Sequence, residues 1–176
     1  KLKSSKRKEI ILSLDNFVKY SSSIASVVEI DKYGLTYANA IAMKRSIFSL
    51  TQELKKHSQI YINKNFCIYV DGKFKPDFEN LDNFLQLNKL QLDNYSIEAL
   101  VKGDSLCKTI ALASIISKET RDTVMRQWSK KYPSYLFDSN FGYGTKKHKI
   151  AILKNGILDL HRKSFKPIAT ICSKMN

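Results

Sequence analysis

The chain has 176 residues, of which 43% are hydrophobic, and its 30 Lys and Arg against 16 Asp and Glu give a net charge of +14. A chain of this length usually forms one domain, so we expect a single domain over residues 1–176. It has no run of about 18 apolar residues, so no membrane-spanning helix is predicted. The charge favours nucleic acid as a polyanionic partner, although a lysine-rich composition without such a partner is the alternative.

The cysteines at positions 67, 107 and 172 are odd in number and widely spaced. They form no Cys-x-x-Cys pair, so neither a disulfide framework nor a zinc site is predicted. A reducing, cytoplasmic location fits this pattern, and no signal peptide is visible. The sequence begins with Lys1 rather than Met, and we expect it to be a fragment or a trimmed chain.

The first residues predict a helix and then a strand. A basic run over residues 1–8 contains serines that can cap a helix. Ile10, Leu14 and Phe17 follow at helical spacing. Residues 22–30 are short and rich in β-branched side chains, which predicts a strand.

Two carboxylates stand at the next junction. Asp31 can cap a helix that we predict from Tyr33 to about Lys55. Glu29 and Asp31 lie close enough in sequence for a shared metal to be considered. We favour the simpler interpretation, in which a strand-to-helix junction with an N-cap accounts for both residues.

Two predicted strands, the first of them expected to be buried, each lead to an aspartate. The apolar run 66–70 is followed by Asp71, and the run 95–101 leads through a glycine turn to Asp104. Residues 73–94 predict an irregular excursion between these strands. A carboxylate at the C-terminal end of a central strand lies where open α/β sheets bind ligands. The alternatives are an Asp-Gly turn for the first aspartate and a helix cap for the second.

A long helix is predicted directly after this turn. It begins at Ser105, and residues 109–116 are apolar or small nearly all round, which predicts a buried helix. Asp104 would then lie at the helix N-terminus, where the helix dipole favours its ionised form. The helix is expected to continue to Lys131 and to end before Pro133.

Aromatic and basic residues dominate the last part of the chain. Tyr143 stands between two glycines and is predicted to be exposed. Thr145 caps a basic helix that Gly156 ends. His148 and His161 are predicted to be surface residues or phosphate contacts rather than metal ligands. The sequence contains no P-loop, GxGxxG or nucleophile-elbow motif.

Several short segments of the chain together carry a family resemblance. In order they are EID at 29–31, VDG at 70–72, KGD at 102–104, TRD at 120–122, GYGT at 142–145 and HRKSF at 161–165. The combination resembles ribonuclease HII over nearly the whole chain. The resemblance implies an α/β, ribonuclease H-like fold with a mixed central sheet flanked by helices. It also implies an endoribonuclease that cleaves RNA in RNA–DNA hybrids and 5′ to ribonucleotides embedded in duplex DNA.

The same resemblance implies roles for individual residues. Asp71 and Asp104 match two of the family's four acidic residues, which gather on Mg²⁺ or Mn²⁺ for two-metal hydrolysis, and they are the predicted catalytic residues. Tyr143 matches a tyrosine that packs against the sugar next to the ribonucleotide. The predicted contacts with the substrate backbone are Lys102, Lys146 and Arg162.

The family's Asp-Glu pair and its Gly-Arg-Gly loop, which inspects the ribose 2′-OH, are absent from this sequence. We therefore expect the first strands of the sheet to be missing, and the isolated chain to be marginally stable and inactive. The alternative function is a non-catalytic, basic nucleic-acid-binding fragment or a decayed relative. A monomer is expected.

Overall fold

The computed structural model describes residues 2–14, 18–57, 66–73 and 95–173. The elements in chain order are α1 (Ser4–Leu14), α2 (Val27–His57), β1 (Phe66–Asp71), β2 (Tyr95–Leu100), α3 (Gly103–Leu106), α4 (Lys108–Lys131), a 3₁₀ turn (Pro133–Tyr135), α5 (Phe137–Asn140), α6 (Lys146–Asn155) and α7 (Ile168–Cys172). None of the helices in these ranges combines the length and apolarity needed to cross a membrane.

The chain divides into two compact units. The first unit contains Lys1–Ala25 and Thr36–Ser117, and the second contains Ser26–Leu35 and Lys118–Asn176. Helix α4 therefore begins in the first unit and ends in the second. The expectation of a single domain over residues 1–176 stays a prediction.

The two described strands form a parallel pair. Their register runs from Phe66 opposite Tyr95 to Asp71 opposite Leu100, so both strands end at the same edge of the sheet. Val70 is buried in the first unit, and side chains of α2 that include Phe48 pack against it. Both predicted strands are present, but the first is not buried as predicted, because Val70 is its one buried residue. The predicted excursion between them lies mostly at 74–94, outside the described residues. The resemblance implies a mixed sheet, but the two described strands pair only in parallel.

The start of α2 corrects the prediction of a strand over residues 22–30. Ser26 and Glu29 form a capping box. The Ser26 hydroxyl accepts a hydrogen bond from the Glu29 N–H at 3.2 Å, and Glu29 Oε2 accepts one from the Ser26 N–H at 2.8 Å. The helix therefore begins at Val27, and Asp31 lies inside it rather than capping it. Gly34, with φ 81° and ψ 164°, interrupts the helix near the predicted start.

The helix predicted from Ser105 is two separate helices. Cys107 is extended, with φ −124° and ψ 120°, and it separates α3 from α4. The predicted burial of residues 109–116 is also wrong as stated, because Ile110 and Ile116 are buried whereas Ala113 and Ser114 are exposed. An apolar helix face is buried only where a neighbouring element covers it.

The core of the second unit is aromatic. Tyr135, Phe137, Ile152 and Ile168 are buried there, and Met125 and Trp128 of α4 pack against them. Three predicted boundaries are confirmed. Helix α4 ends before Pro133, the Thr145 side chain caps α6, and Gly156 ends it with a φ of 86°.

The two histidines of the second unit correct another prediction. His148 and His161 are only 4% and 6% exposed, so they are core residues rather than surface residues or phosphate contacts. His148 Nδ1 donates a hydrogen bond to the Tyr135 carbonyl oxygen at 3.1 Å, and His161 Nδ1 accepts one from the Leu158 N–H at 2.9 Å. Each ring thus has one hydrogen-bonded nitrogen, and His161 Nε2 is buried without a hydrogen-bond partner among the described residues.

Candidate active site and nucleic-acid interface

The first group of site residues lies where β1 and β2 end. Asp71 is opposite Leu100, and the chain then turns through Lys102, which adopts a left-handed conformation with φ 56° and ψ 38°. The turn directs the Gly103 N–H towards Asp71, whose Oδ1 accepts this hydrogen bond at 2.8 Å. Asp104 is the next residue, so the structure brings the backbones that carry the two predicted catalytic aspartates to one edge of the sheet. Both aspartates are exposed.

Gly103 permits this close approach because it lacks a side chain. A Cβ at this position would lie 2.6 Å from Ile110 Cδ1 and 3.3 Å from Asp71 Oδ1. Real Cβ atoms essentially never approach another atom as closely as 2.6 Å. A side chain at position 103 would therefore force the end of the Ile110 side chain to move, and the aspartate after Gly103 depends on the same turn.

The chemistry of this edge suits a hard divalent cation. The hydrogen bond from Gly103 uses Oδ1 of Asp71, and carboxylate oxygens remain on Asp71 and Asp104. Mg²⁺ prefers oxygen ligands and keeps several of its own waters, so two carboxylates can contribute to its site. Within the described ranges no cluster of three or more His, Cys, Asp or Glu side chains could hold a metal. The residues present therefore fit part of a magnesium or manganese site.

The second group of site residues surrounds Tyr143. The side chain of Tyr143 is 58% exposed, as the sequence predicts. The buried Asn140 holds its loop, because its amide donates to the Tyr135 carbonyl at 2.7 Å and its Oδ1 accepts from the Gly142 N–H at 2.8 Å. Gly142 has a φ of 74°, a conformation that side chains disfavour. The ring is thus presented to solvent by a fixed loop.

Two cationic residues of α4 lie beside this ring. Lys118 Nζ is 5.8 Å from the centroid of the Tyr143 ring, and the guanidinium carbon of Arg121 is 5.7 Å from it. Arg121 also donates to the Phe141 carbonyl at 2.8 Å, and Lys118 pairs with the buried Asp122 at 2.5 Å. An exposed aromatic ring can stack on a base or sugar of a nucleic acid, and cations beside the ring can bind the neighbouring phosphates.

The sequence prediction missed Lys118 and Arg121. The available signal was helical spacing. Arg121 and Asp122 follow Lys118 by three and four positions, which places all three on one face of the helix. The other predicted backbone contacts are present at the surface. Lys102 and Lys146 are exposed, and Arg162 is half-buried with its guanidinium carbon 4.2 Å from the centroid of the Phe165 ring.

Comparison with known proteins assigns the family. A model of the family described as Ribonuclease HII matches residues 1–168. The chain belongs to the ribonuclease HII family. A Ribonuclease HII of Pelagibacter ubique is 35% identical over 162 residues, which are 90% of this chain and 74% of that protein.

Two further comparisons define how far the likeness to ribonuclease HII extends. The Ribonuclease HII of Zymomonas mobilis is 35% identical over 155 residues, which cover 88% of this chain but only 62% of that protein. The crystal structure of the ribonuclease H2 from Pyrococcus horikoshii OT3 matches with a TM-score of 0.66 and 16% identity, over 99% of this chain and 78% of that chain. The predicted α/β fold class is confirmed by this structural match.

Proposed function

We propose that this ribonuclease HII chain belongs to an endoribonuclease that cleaves RNA in RNA–DNA hybrids and 5′ to ribonucleotides in duplex DNA. The observation that carries the proposal is the hydrogen bond from the Gly103 N–H to Asp71 Oδ1. It joins the ends of two parallel strands and sets Asp104 directly beside that junction. The proposed partners are these two duplexes, and the proposed state is a cytoplasmic monomer.

Asp71 and Asp104 are the proposed catalytic residues. They would hold Mg²⁺ or Mn²⁺ through their carboxylate oxygens. When bound, two such ions supply an activated water and shield the charge on the scissile phosphate. The Gly103 N–H donates a hydrogen bond to Oδ1 of Asp71 and so orients this side chain. Because Oδ1 is held, the position of the second carboxylate oxygen is restricted as well.

The substrate would lie against the basic and aromatic residues. Tyr143 offers an exposed ring to a sugar or base, and Lys118 and Arg121 beside it would bind the adjoining phosphates. Proteins distinguish RNA from DNA through the ribose 2′-OH. Neither the Gly-Arg-Gly loop nor the Asp-Glu pair occurs in these residues, so we expect the chain by itself to bind duplexes without cleaving them.

The first test replaces each aspartate with asparagine, which keeps the shape and removes the charge. In a polypeptide that carries the Asp-Glu pair ahead of Lys1, we expect Asp71→Asn and Asp104→Asn each to reduce cleavage by about 100-fold or more, because a metal ligand is lost. Binding to the duplex should change little. The matched control is Asp138→Asn, which alters an exposed aspartate of α5 and should leave cleavage unchanged.

Cleavage is measured with Mn²⁺ and a duplex that contains one ribonucleotide. Full activity in both variants would reject the aspartates as catalytic residues. Robust cleavage by the present chain alone, abolished by Asp104→Asn, would keep the site but reject the proposed inactivity.

The second test concerns Tyr143. We expect Tyr143→Ala to weaken binding at the ribonucleotide junction by about 1–3 kcal/mol, the usual worth of one aromatic stack. Because the side chain is exposed, its removal should change stability by no more than about 0.5 kcal/mol. Tyr143→Phe retains the ring and is the control. A large drop in the melting temperature of Tyr143→Ala would instead identify the residue as part of the core.

The second candidate function is non-catalytic binding of nucleic acid, which the net charge of +14 favours. It predicts equal affinity for all-DNA and ribonucleotide-containing duplexes, with or without metal. Electrophoretic binding to both duplexes tests the second function. A clear preference for the ribonucleotide would reject the second.

A further inference from the structure

Two segments far apart in sequence meet at Asp31. Its Oδ2 accepts a hydrogen bond from the Lys163 N–H at 2.8 Å, and its Oδ1 accepts from the Ser164 N–H at 3.0 Å and from the Ser164 hydroxyl at 2.5 Å. All of these residues belong to the second unit. The carboxylate of the Glu-Ile-Asp segment therefore holds the turn of the His-Arg-Lys-Ser-Phe segment.

The charge of Asp31 matters for this arrangement. Partial desolvation acts to raise the pKa of Asp31, but the hydrogen bonds from Ser164 and Lys163 outweigh it and lower the pKa below its ordinary value. The carboxylate is therefore ionised at neutral pH, and both of its oxygens accept charge-assisted hydrogen bonds. These donors occupy the oxygens that a metal would need, which argues against a metal at Glu29 and Asp31.

The turn fixes the backbone on both sides of Arg162. His161, immediately before it, is buried and accepts a hydrogen bond from the Leu158 N–H. The Arg162 carbonyl accepts from the Phe165 N–H at 3.1 Å, and the Arg162 guanidinium lies over the Phe165 ring. The backbone at Arg162 is therefore held, and the contact with the Phe165 ring restricts the end of its side chain.

We infer that Asp31 is a positioning residue that holds the 162–165 turn so that Arg162 is presented to a phosphate of the nucleic-acid backbone. This inference rests on the proposed function, in which Arg162 contacts the substrate. Guanidinium groups bind phosphate through paired hydrogen bonds of fixed geometry. Ordering such a side chain before binding removes part of the entropy that association would otherwise cost.

The test is a double-mutant cycle between Asp31 and Arg162 on the chain as it is. Affinity for a duplex with one ribonucleotide is measured by fluorescence anisotropy at several KCl concentrations. We expect Arg162→Ala to weaken binding about fivefold. It should also reduce the magnitude of the negative slope of log K against log salt by about 0.9, the value for one phosphate contact. Asp31→Asn should weaken binding by a similar factor. In a chain that already carries Arg162→Ala, Asp31→Asn should cause no further loss of affinity.

Each other outcome identifies a different failure. If Asp31→Asn weakens binding equally with and without Arg162, Asp31 acts only on the fold and the inference is wrong. If Arg162→Ala changes neither affinity nor slope, both the Arg162 contact and the inference are rejected, while the cleavage test on the aspartates still decides the rest of the proposed function.

Circular dichroism melting controls for folding. If Asp31→Asn fails to fold, Ser164→Ala takes the place of Asp31→Asn in the same cycle. Ser164→Ala removes only the hydroxyl hydrogen bond to Asp31, so a smaller loss of affinity is expected. Arg162→Lys keeps the charge without the paired geometry and should restore the salt slope but not the full affinity.

Discussion

Gly103 affects both the packing of the first unit and the orientation of Asp71, because it has no side chain. Gly103 is buried between Ile110, Leu100 and the carboxylate of Asp71, and its N–H is the donor that orients that carboxylate. Any side chain here must displace Ile110 or Asp71. The geometry of the proposed metal ligands is therefore sensitive to a residue that would not itself bind metal.

We expect Gly103→Ala to destabilise the chain by about 1–3 kcal/mol, the usual range for overpacking a filled space. Urea denaturation measures the change. The control is Gly144→Ala, whose added Cβ would have its nearest neighbour at 3.8 Å, an ordinary van der Waals distance. Equal stability of the two variants would show that Ile110 and Asp71 relax without cost, which would contradict the packing argument.

Single residues differ in how well the sequence predicts them. Asp71 and Asp104 could be placed because each follows an apolar strand, and parallel strands end at one edge. The exposure of Tyr143 followed from its flanking glycines. Lys118 and Arg121 were missed because helical spacing shows that two residues share a face but not what that face meets. The burial of His148 was mispredicted for the same reason.

At the scale of elements, the local signal at the start of α2 competed with a stronger pattern. Residues 27–30 are mostly β-branched, which favoured a strand, yet the Ser26 and Glu29 side chains satisfy the first N–H groups of a helix. The break at Cys107 had no visible signal, because its neighbours have ordinary helix propensities. The Pro133 and Gly156 boundaries were predictable because their causes are local, and the strand positions were predictable from the apolar residues in each run.

The histidine pair joins several elements of the second unit. The ring centroids of His148 and His161 are 5.4 Å apart, and Tyr135 and Phe137 of the preceding turn and α5 surround them. Burial lowers the pKa of both histidines from the ordinary value of 6.5, and the neighbouring His148 lowers the pKa of His161 further. The other titratable group that faces the pair is Tyr135, whose pKa is raised by burial.

The stability of this unit should therefore fall as the pH falls below about 6.5. The unfolded histidines bind protons from about pH 6.5 downwards, whereas the folded ones do so only at lower pH, so the unfolded state holds more protons in between. Stability is complete above the unfolded pKa and is lost as the pH falls through the folded values. The lowered pKa of Asp31 acts at lower pH, below its ordinary value of 3.8, and does not affect this window.

Thermal unfolding at pH 7.5 and 5.5, at equal ionic strength, measures the effect. We expect a lower melting temperature at pH 5.5. His148→Asn can keep the hydrogen bond to the Tyr135 carbonyl without titrating, so its melting temperature should depend less on pH than that of the unchanged chain. An unchanged pH dependence in both His148→Asn and His161→Asn would assign the effect to other groups.

At the scale of the whole molecule, the sequence predicted the fold class and the family through its ordered short segments, whose spacing reflects the elements that carry them. It did not predict the division into two units, because this depends on which distant segments pack together. The predicted loss of the first strands stays a prediction.

The net charge of +14 also belongs to this scale, and it raises the question of whether binding is local or spread over the surface. Five basic residues are proposed to contact phosphates, namely Lys102, Lys118, Arg121, Lys146 and Arg162. If each releases counterions from duplex DNA, the slope of log K against log salt should be about −4.5. Lys146→Gln should reduce the magnitude of the slope by about 0.9.

The matched control is Lys56→Gln, which removes an exposed lysine that pairs with Glu53 at 3.9 Å and is not a proposed contact. It should leave the slope unchanged if only the five proposed contacts release counterions. Anisotropy titrations from low to physiological salt provide both slopes. If the two lysine variants reduce the slope equally, the charge acts diffusely over the surface. That result would favour the non-catalytic binding function over a duplex held in one register against the aspartates.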